Sequence, residues 1–68
     1  MKSRIGELIE EKGFMKKHIA KQLGITPTQL SNWIHDNNYP PLKKAFLLAD
    51  LLECKVDDLY ERDIKDKI

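Results

Sequence analysis

The chain has 68 residues, 41% of them hydrophobic and 34% charged, and a formal net charge of +1. One small domain is expected, burying only about 60% of the surface its unfolded form exposes, and the composition is too apolar for a disordered segment. The single cysteine excludes an internal disulfide and fits a reducing cytosol, and the longest apolar run, Ala45 to Ala49, is far short of the ~20 residues of a membrane span.

The start, Met1-Lys2-Ser3-Arg4, runs into charged, helix-like sequence without a signal-peptide core, so a cytoplasmic location is expected. Charge is unevenly spread. Between residues 12 and 44, Lys12, Lys16, Lys17, Lys21, Lys43 and Lys44 face only Asp36, whereas residues 45–68 carry four basic and seven acidic groups. A basic middle beside an acidic tail points to one face for a polyanion and another for something else.

Apolar residues recur at helical spacing and never alternate for long. Ile5, Leu8 and Ile9 mark a first helix that Gly13 stops. Ile19, Ala20 and Leu23 mark a short second helix ended by Gly24. In Thr26-Pro27-Thr28-Gln29, Thr26 is placed to cap, Pro27 to take the first helical position, and Gln29 to reach back as a capping-box partner. The third helix runs through Leu30, Trp33 and Ile34 and ends in Asp36-Asn37-Asn38. Pro40-Pro41 opens a fourth helix, Leu42 to about Leu52. Val56, Leu59 and Tyr60 suggest a fifth, with Asp57 and Asp58 suited to its N-terminal dipole. The expectation is an all-α, compact five-helix bundle forming one domain, with its core over residues 4–60 and residues 61–68 as a short C-terminal extension. The second and third helices are joined by only Gly24-Ile25-Thr26, the short glycine-bearing link of a helix-turn-helix.

The run Ile19-Ala20-x-x-Leu23-Gly24-Ile25-Thr26-x-x-x-Leu30-Ser31-x-Trp33 resembles the phage-repressor (Cro/repressor, or XRE) helix-turn-helix family. The resemblance continues without a gap through Pro40, Leu48-Ala49, Leu52 and Val56-Asp57-Asp58-Leu59. It implies a lambda-repressor-like domain whose third helix enters the DNA major groove, usually as a dimer on a palindromic operator. Four positions depart from the family pattern. Ile9 and Ile34 replace an internal Arg–Glu ion pair together, leaving no charge stranded, and are expected to pack against each other. Asp36 stands where a glycine usually ends the third helix, and Met15 replaces the usual Ser or Thr cap of the second.

Lys16, Lys17, Lys43 and Lys44 all fall at or near the first turn of their helices, where positive charge opposes the helix dipole; a phosphate docked there removes the conflict. On the third helix Pro27, Thr28, Gln29 and Asn32 match the family's base-facing positions. Pro27 offers only shape or contact with a thymine methyl, whereas the Asn32 carboxamide suits bidentate pairing with adenine. Gln29 has two candidate roles, capping its own helix or reading a base. Ser31, His35, Asn37, Asn38 and Tyr39 match positions near the DNA backbone.

Enzymatic readings find no support in the sequence. His18, His35 and Cys54 share no metal-ligand spacing, no nucleophile–base grouping or glycine-rich phosphate loop is present, and no cofactor, metal or small-molecule ligand is expected. Cys54 matches an apolar core position, and Trp33 and Phe46 read as core residues rather than base-stacking platforms. Two functions remain: a sequence-specific repressor of double-stranded DNA, of phage or mobile-element type, for which a protein antagonist is a candidate partner, and an interaction module of the same fold with little DNA binding, an antitoxin-like or antagonist partner. The lysines and Asn32 favour the first. With no sensor domain in the sequence, control is expected through abundance, a partner protein or proteolysis. Leu47 and Leu51, spaced i, i+4 outside the inward stripe, and Val56, Tyr60, Ile64 and Ile68, recurring every four residues, suggest a homodimer interface of Leu47, Leu51, Tyr60, Ile64 and Ile68.

Overall fold

A computed structural model of the chain describes residues 1–62. Four α-helices follow in order: α1 (Ile5–Lys12), α2 (Lys16–Leu23), α3 (Pro27–Ile34) and α4 (Leu42–Leu51). The expected fifth helix is a single 3-10 turn over Val56–Leu59. Flanking the helical body, β1 (Lys2–Ser3) and β2 (Tyr60–Glu61) pair antiparallel, Lys2 opposite Glu61 and Ser3 opposite Tyr60. The all-α helix-turn-helix fold is as expected, but the count of five helices is corrected: the described residues form four α-helices, a 3-10 turn and a short ribbon.

The reason for the correction lies at residues 55–60. Asp58 accepts the Lys55 N–H at 3.1 Å, which closes one tight turn. Tyr60 then adopts an extended backbone, φ −136° and ψ 143°, and enters the ribbon. Val56 and Tyr60 therefore share no α-helical stripe, one lying in the 3-10 turn and the other in the ribbon, and Ile64 and Ile68 lie outside the described residues.

All four helices end alike. In each, a residue in the left-handed region follows the last turn: Gly13 (φ 75°), Gly24 (φ 69°), Asp36 (φ 63°) and Glu53 (φ 55°). The next N–H in each case reaches back five residues, Phe14 to Ile9, Ile25 to Ala20, Asn37 to Asn32 and Cys54 to Ala49, at 2.9–3.0 Å. This Schellman closure satisfies carbonyls that the helix leaves open. Glycine adopts the conformation without strain at positions 13 and 24, whereas Asp36 and Glu53 meet a steric cost there, smaller for aspartate.

The core is one cluster that draws on every helix: Ile5, Leu8 and Ile9; Ile19, Ala20 and Leu23; Leu30 and Trp33; Ala45, Leu48, Ala49 and Leu52; and Leu59 from the 3-10 turn. Ile34, Leu51, Cys54, Val56 and Tyr60 are half-buried against it. The two isoleucines of the altered ion-pair positions thus join the same core, Ile9 fully and Ile34 in part. Ile34 also accounts for a glycine inside a helix. A Cβ on Gly6 would stand 2.9 Å from Ile34 Cγ2, so α1 approaches α3 closely only because position 6 has no side chain.

Three placements differ from expectation. Phe46, read as core, is 56% exposed, because the inward stripe of α4 is Ala45, Leu48, Ala49 and Leu52 and Phe46 flanks it. Leu51, read as exposed, packs partly on the core, and Cys54 is half-buried rather than enclosed. Burial, and secondarily the Asp58 carboxylate, push the Cys54 thiol pKa up, keeping the group in its less reactive protonated form.

Candidate nucleic-acid interface

The turn between α2 and α3 is fixed from both sides. Gly24 closes α2, and Thr26 opens α3 by accepting the Gln29 N–H on its hydroxyl oxygen at 3.1 Å, with Pro27 in the first turn. Only Gly24, Ile25 and Thr26 separate the helices, and Ile25 is half-buried against the core. The two helices pack on one another and are held as a unit.

Leu30 and Trp33 face inward at about 1% exposure each, which leaves Pro27, Thr28, Gln29, Ser31 and His35 outward. This outer face carries no acidic residue in its first turn and no basic residue in its last. Its groups are neutral donors and acceptors. The Gln29 side chain does not complete a capping box and makes no hydrogen bond among the described residues, so its carboxamide is free. Asn32 is half-buried, and its Oδ1 accepts a hydrogen bond from Asn37 Nδ2 at 3.2 Å.

The N-terminus of α2 borders this surface in sequence and packing. Met15 provides no side-chain cap, as its apolar side chain predicts, and the first turn holds no acid to complement its open N–H groups. Lys16 and Lys17 occupy that turn and are exposed. Both features, uncapped donors and two ammonium groups, favour an anion at the same place.

The fourth lysine is used otherwise. Lys44 is half-buried and its ammonium donates to the Leu23 carbonyl at the end of α2. A cation at a helix C-terminus is favourable, and the bond ties α4 to the helix-turn-helix. One of the three ammonium donors of Lys44 is thus committed inside the fold. Lys43, one residue earlier, is exposed.

The segment after α3 is anchored to the ribbon. Asp36 accepts the Ser3 N–H on its carboxylate, at 2.9 and 3.2 Å to the two oxygens. Tyr39 stacks edge-to-face on Tyr60, ring centroids 5.5 Å apart at 63°. Asn37, Asn38 and Tyr39 are exposed between these two attachments. The Tyr60 hydroxyl is buried without a hydrogen-bond partner, and burial, then the charge of Asp36, then Tyr39, raise its pKa to about 12. The sequence reading missed both the ribbon and its hold on this loop. The only local signal was Asp36, a good acceptor at a left-handed position.

Of the residues expected at a homodimer interface, Leu47 is 44% exposed, Leu51 and Tyr60 are half-buried within the fold, and Ile64 and Ile68 are not among the described residues. Among the described residues, no group of three or more His, Cys, Asp or Glu side chains could hold a metal ion, and no helix is long and apolar enough to cross a membrane. The concavity lined by Met1, Val56, Asp57, Tyr60 and Arg62 includes no residue of α2 or α3.

The fold is shared with a transcriptional regulator from Listeria innocua, with a TM-score of 0.71 at 18% sequence identity over 98% of this chain and 68% of that one. No curated protein sequence matches the chain. The sequence model of the Cro/C1-type HTH DNA-binding domain matches residues 4–65, which is nearly the whole chain and includes both helices of the turn. With that match and the α2–α3 geometry together, the chain belongs to the Cro/C1-type helix-turn-helix DNA-binding domains.

Proposed function

We propose that the protein is a sequence-specific regulator of transcription that lays α3 in the major groove of duplex DNA and represses by occupying a palindromic operator as a two-fold dimer. The observation that carries this reading is the contrast across the α2–α3 unit. A neutral face of hydrogen-bonding side chains lies on α3, and an uncapped, lysine-bearing helix start lies on α2. Base edges are read by the first kind of surface and phosphates are held by the second.

Gln29 is the leading base reader, since its carboxamide is exposed and uncommitted; Pro27 and Thr28 supply shape and methyl contacts beside it. Asn32 is a second base reader: its oxygen accepts one bond from Asn37 and has a second lone pair for an adenine amino group, while its Nδ2 is left to donate. Lys16 and Lys17 take phosphates at the start of α2, with Ser31, His35, Asn37, Asn38 and Tyr39 as further backbone contacts. A domain of this kind works without a cofactor or catalytic group, and its cellular place is wherever the DNA is.

Equilibrium titration of duplex DNA across a range of salt concentrations tests the phosphate half of the reading. Affinity should fall steeply with salt, and Lys17→Ala should weaken all sequences alike while reducing the log–log slope by about one unit. An unchanged slope in Lys17→Ala would remove that residue from the phosphate contacts, and salt-independent binding would remove the reading itself.

A further inference from the structure

Among the described residues, the outward side of α4 carries three of the seven large apolar side chains that are exposed. Leu42, Phe46 and Leu47 are 72%, 56% and 44% exposed, three large apolar side chains within six residues. Leu42 and Phe46, four apart, form one flank, and Leu47 stands on the other, above the half-buried Leu51. On the ridge between the flanks lie Lys43 and Asp50. They are seven residues apart, two helical turns, so they share one line along the surface at a spacing of about 10 Å. Both are exposed, and neither has an ionic partner among the described residues.

A cation at one end of a ridge and an anion at the other is self-complementary under a two-fold axis. If two α4 helices pack antiparallel, with the axis passing beside residues 46 and 47, Lys43 of each copy stands opposite Asp50 of the other. The same operation brings Phe46 against Phe46 and Leu47 against Leu47, one pair on each side of the ridge. Any register other than this one leaves the charges unmatched, so a single arrangement covers the apolar residues and pairs the ions.

We propose that α4 is the homodimer surface, two copies packing antiparallel through Phe46 and Leu47 with Lys43–Asp50 ion pairs at both ends. This deepens the dimer of the reading above by naming its surface, and it removes Lys43 from the phosphate contacts. The patch is small. A ten-residue helix is about 15 Å long and offers on the order of 400 Å² per copy, half of a standard interface side, so the dimer is weak in solution and is completed when two half-sites hold the copies together.

Charge reversal tests the register without DNA. In sedimentation equilibrium from about 10 μM to about 1 mM, a range suited to a patch of this size, the wild type should show a reversible monomer–dimer equilibrium. Lys43→Asp and Asp50→Lys should each be folded by circular dichroism and monomeric, because each places like charges opposite one another. Mixed in equal amounts they should recover the dimer, as both ion pairs re-form between unlike chains. Phe46→Glu should be monomeric as well. A second measurement needs no variant: backbone NMR shifts of the wild type should change with concentration at residues 42–51. A wild type that stays monomeric throughout, shift changes confined to another surface, or single reversals that dimerise like the wild type would overturn the proposal. Failure of the mixture to restore the dimer would overturn the ion-pair register. Salt-sensitive DNA binding by a strictly monomeric chain would leave the DNA reading standing while this one fell.

Discussion

Helices α3 and α4 are neighbours in the chain and similar in length, but they divide apolar and polar residues in opposite ways. On α3 the largest side chain, Trp33, is fully inside, and the outer face is polar and uncharged. On α4 the inner stripe is Ala45, Leu48, Ala49 and Leu52, small or medium in size, while Phe46 and two leucines stand outside. Exposed neutral hydrogen-bonding groups cost nothing in water and gain specificity when they meet base edges. Exposed large apolar groups gain only when something apolar covers them. The two outer faces are therefore suited to different partners, nucleic acid for α3 and protein for α4.

Core substitution separates the two aromatics by the widest margin. Trp33→Ala should cost ~3–5 kcal/mol and leave so small a domain largely unfolded at room temperature. Phe46→Ala should shift monomer stability by no more than ~0.5 kcal/mol. Urea denaturation of dilute protein measures both, and similar losses for the two would mean that Phe46 is enclosed after all.

The helix starts differ next. Thr26 caps α3, whereas Met15 leaves α2 uncapped. Thr26→Ala should destabilise by ~0.5–2 kcal/mol, and Met15→Ser should stabilise by a smaller amount, near ~0.5–1 kcal/mol. Thermal unfolding of the two variants would show opposite shifts in Tm. A loss in Met15→Ser would mean that the methionine packs in a way its 71% exposure denies.

The segment joining α3 to α4 is held through Tyr39 on Tyr60, and this attachment has a pH signature. The Tyr60 pKa is raised to about 12, chiefly by burial, so the folded chain holds this proton more tightly than the unfolded chain, in which tyrosine titrates near ~10. The resulting stability is complete below pH ~10 and is lost as the pH rises through about 12. Tyr60→Phe keeps the ring, deletes a hydroxyl that has no partner, and should remove this part of the alkaline loss. Denaturant melts of the two proteins between about pH 9 and pH 12 should diverge, and parallel curves would mean that the hydroxyl is solvated in the folded state.

The legible parts of the fold were those with local causes. Gly13, Gly24 and Thr26-Pro27 act within a few residues of themselves, and the structure places their helix ends where those residues require. The ribbon has no such signal: two strands of two residues each show no alternation, and their pairing joins positions nearly sixty residues apart. The 3-10 turn replaced a fifth helix because Asp57-Asp58 suits the first turn of either, and the path of the chain beyond Leu59 is decided by pairing with Ser3. Phe46 was misplaced on size, since aromatic bulk suggests a core residue even when its helical position lies beside the inward stripe. The tie of Lys44 to the Leu23 carbonyl had no local signal, because that partner lies on another helix. Within the candidate site, the outward positions of α3 were readable from periodicity and family pattern, whereas the Asn37–Asn32 bond depends on how the chain turns after α3 and has no signal in the sequence.

If the outer face of α3 reads sequence, the side chains on it must set the preferred site. Selection of binding sites from random duplex DNA, run with the wild type and with Gln29→Ala, measures this directly. The wild type should enrich a palindromic motif, and Gln29→Ala should relax the preference at one or two base pairs in each half-site, with a loss of ~1–3 kcal/mol there and the remaining positions intact. An unchanged motif in Gln29→Ala, or no enriched motif with the wild type, would contradict it.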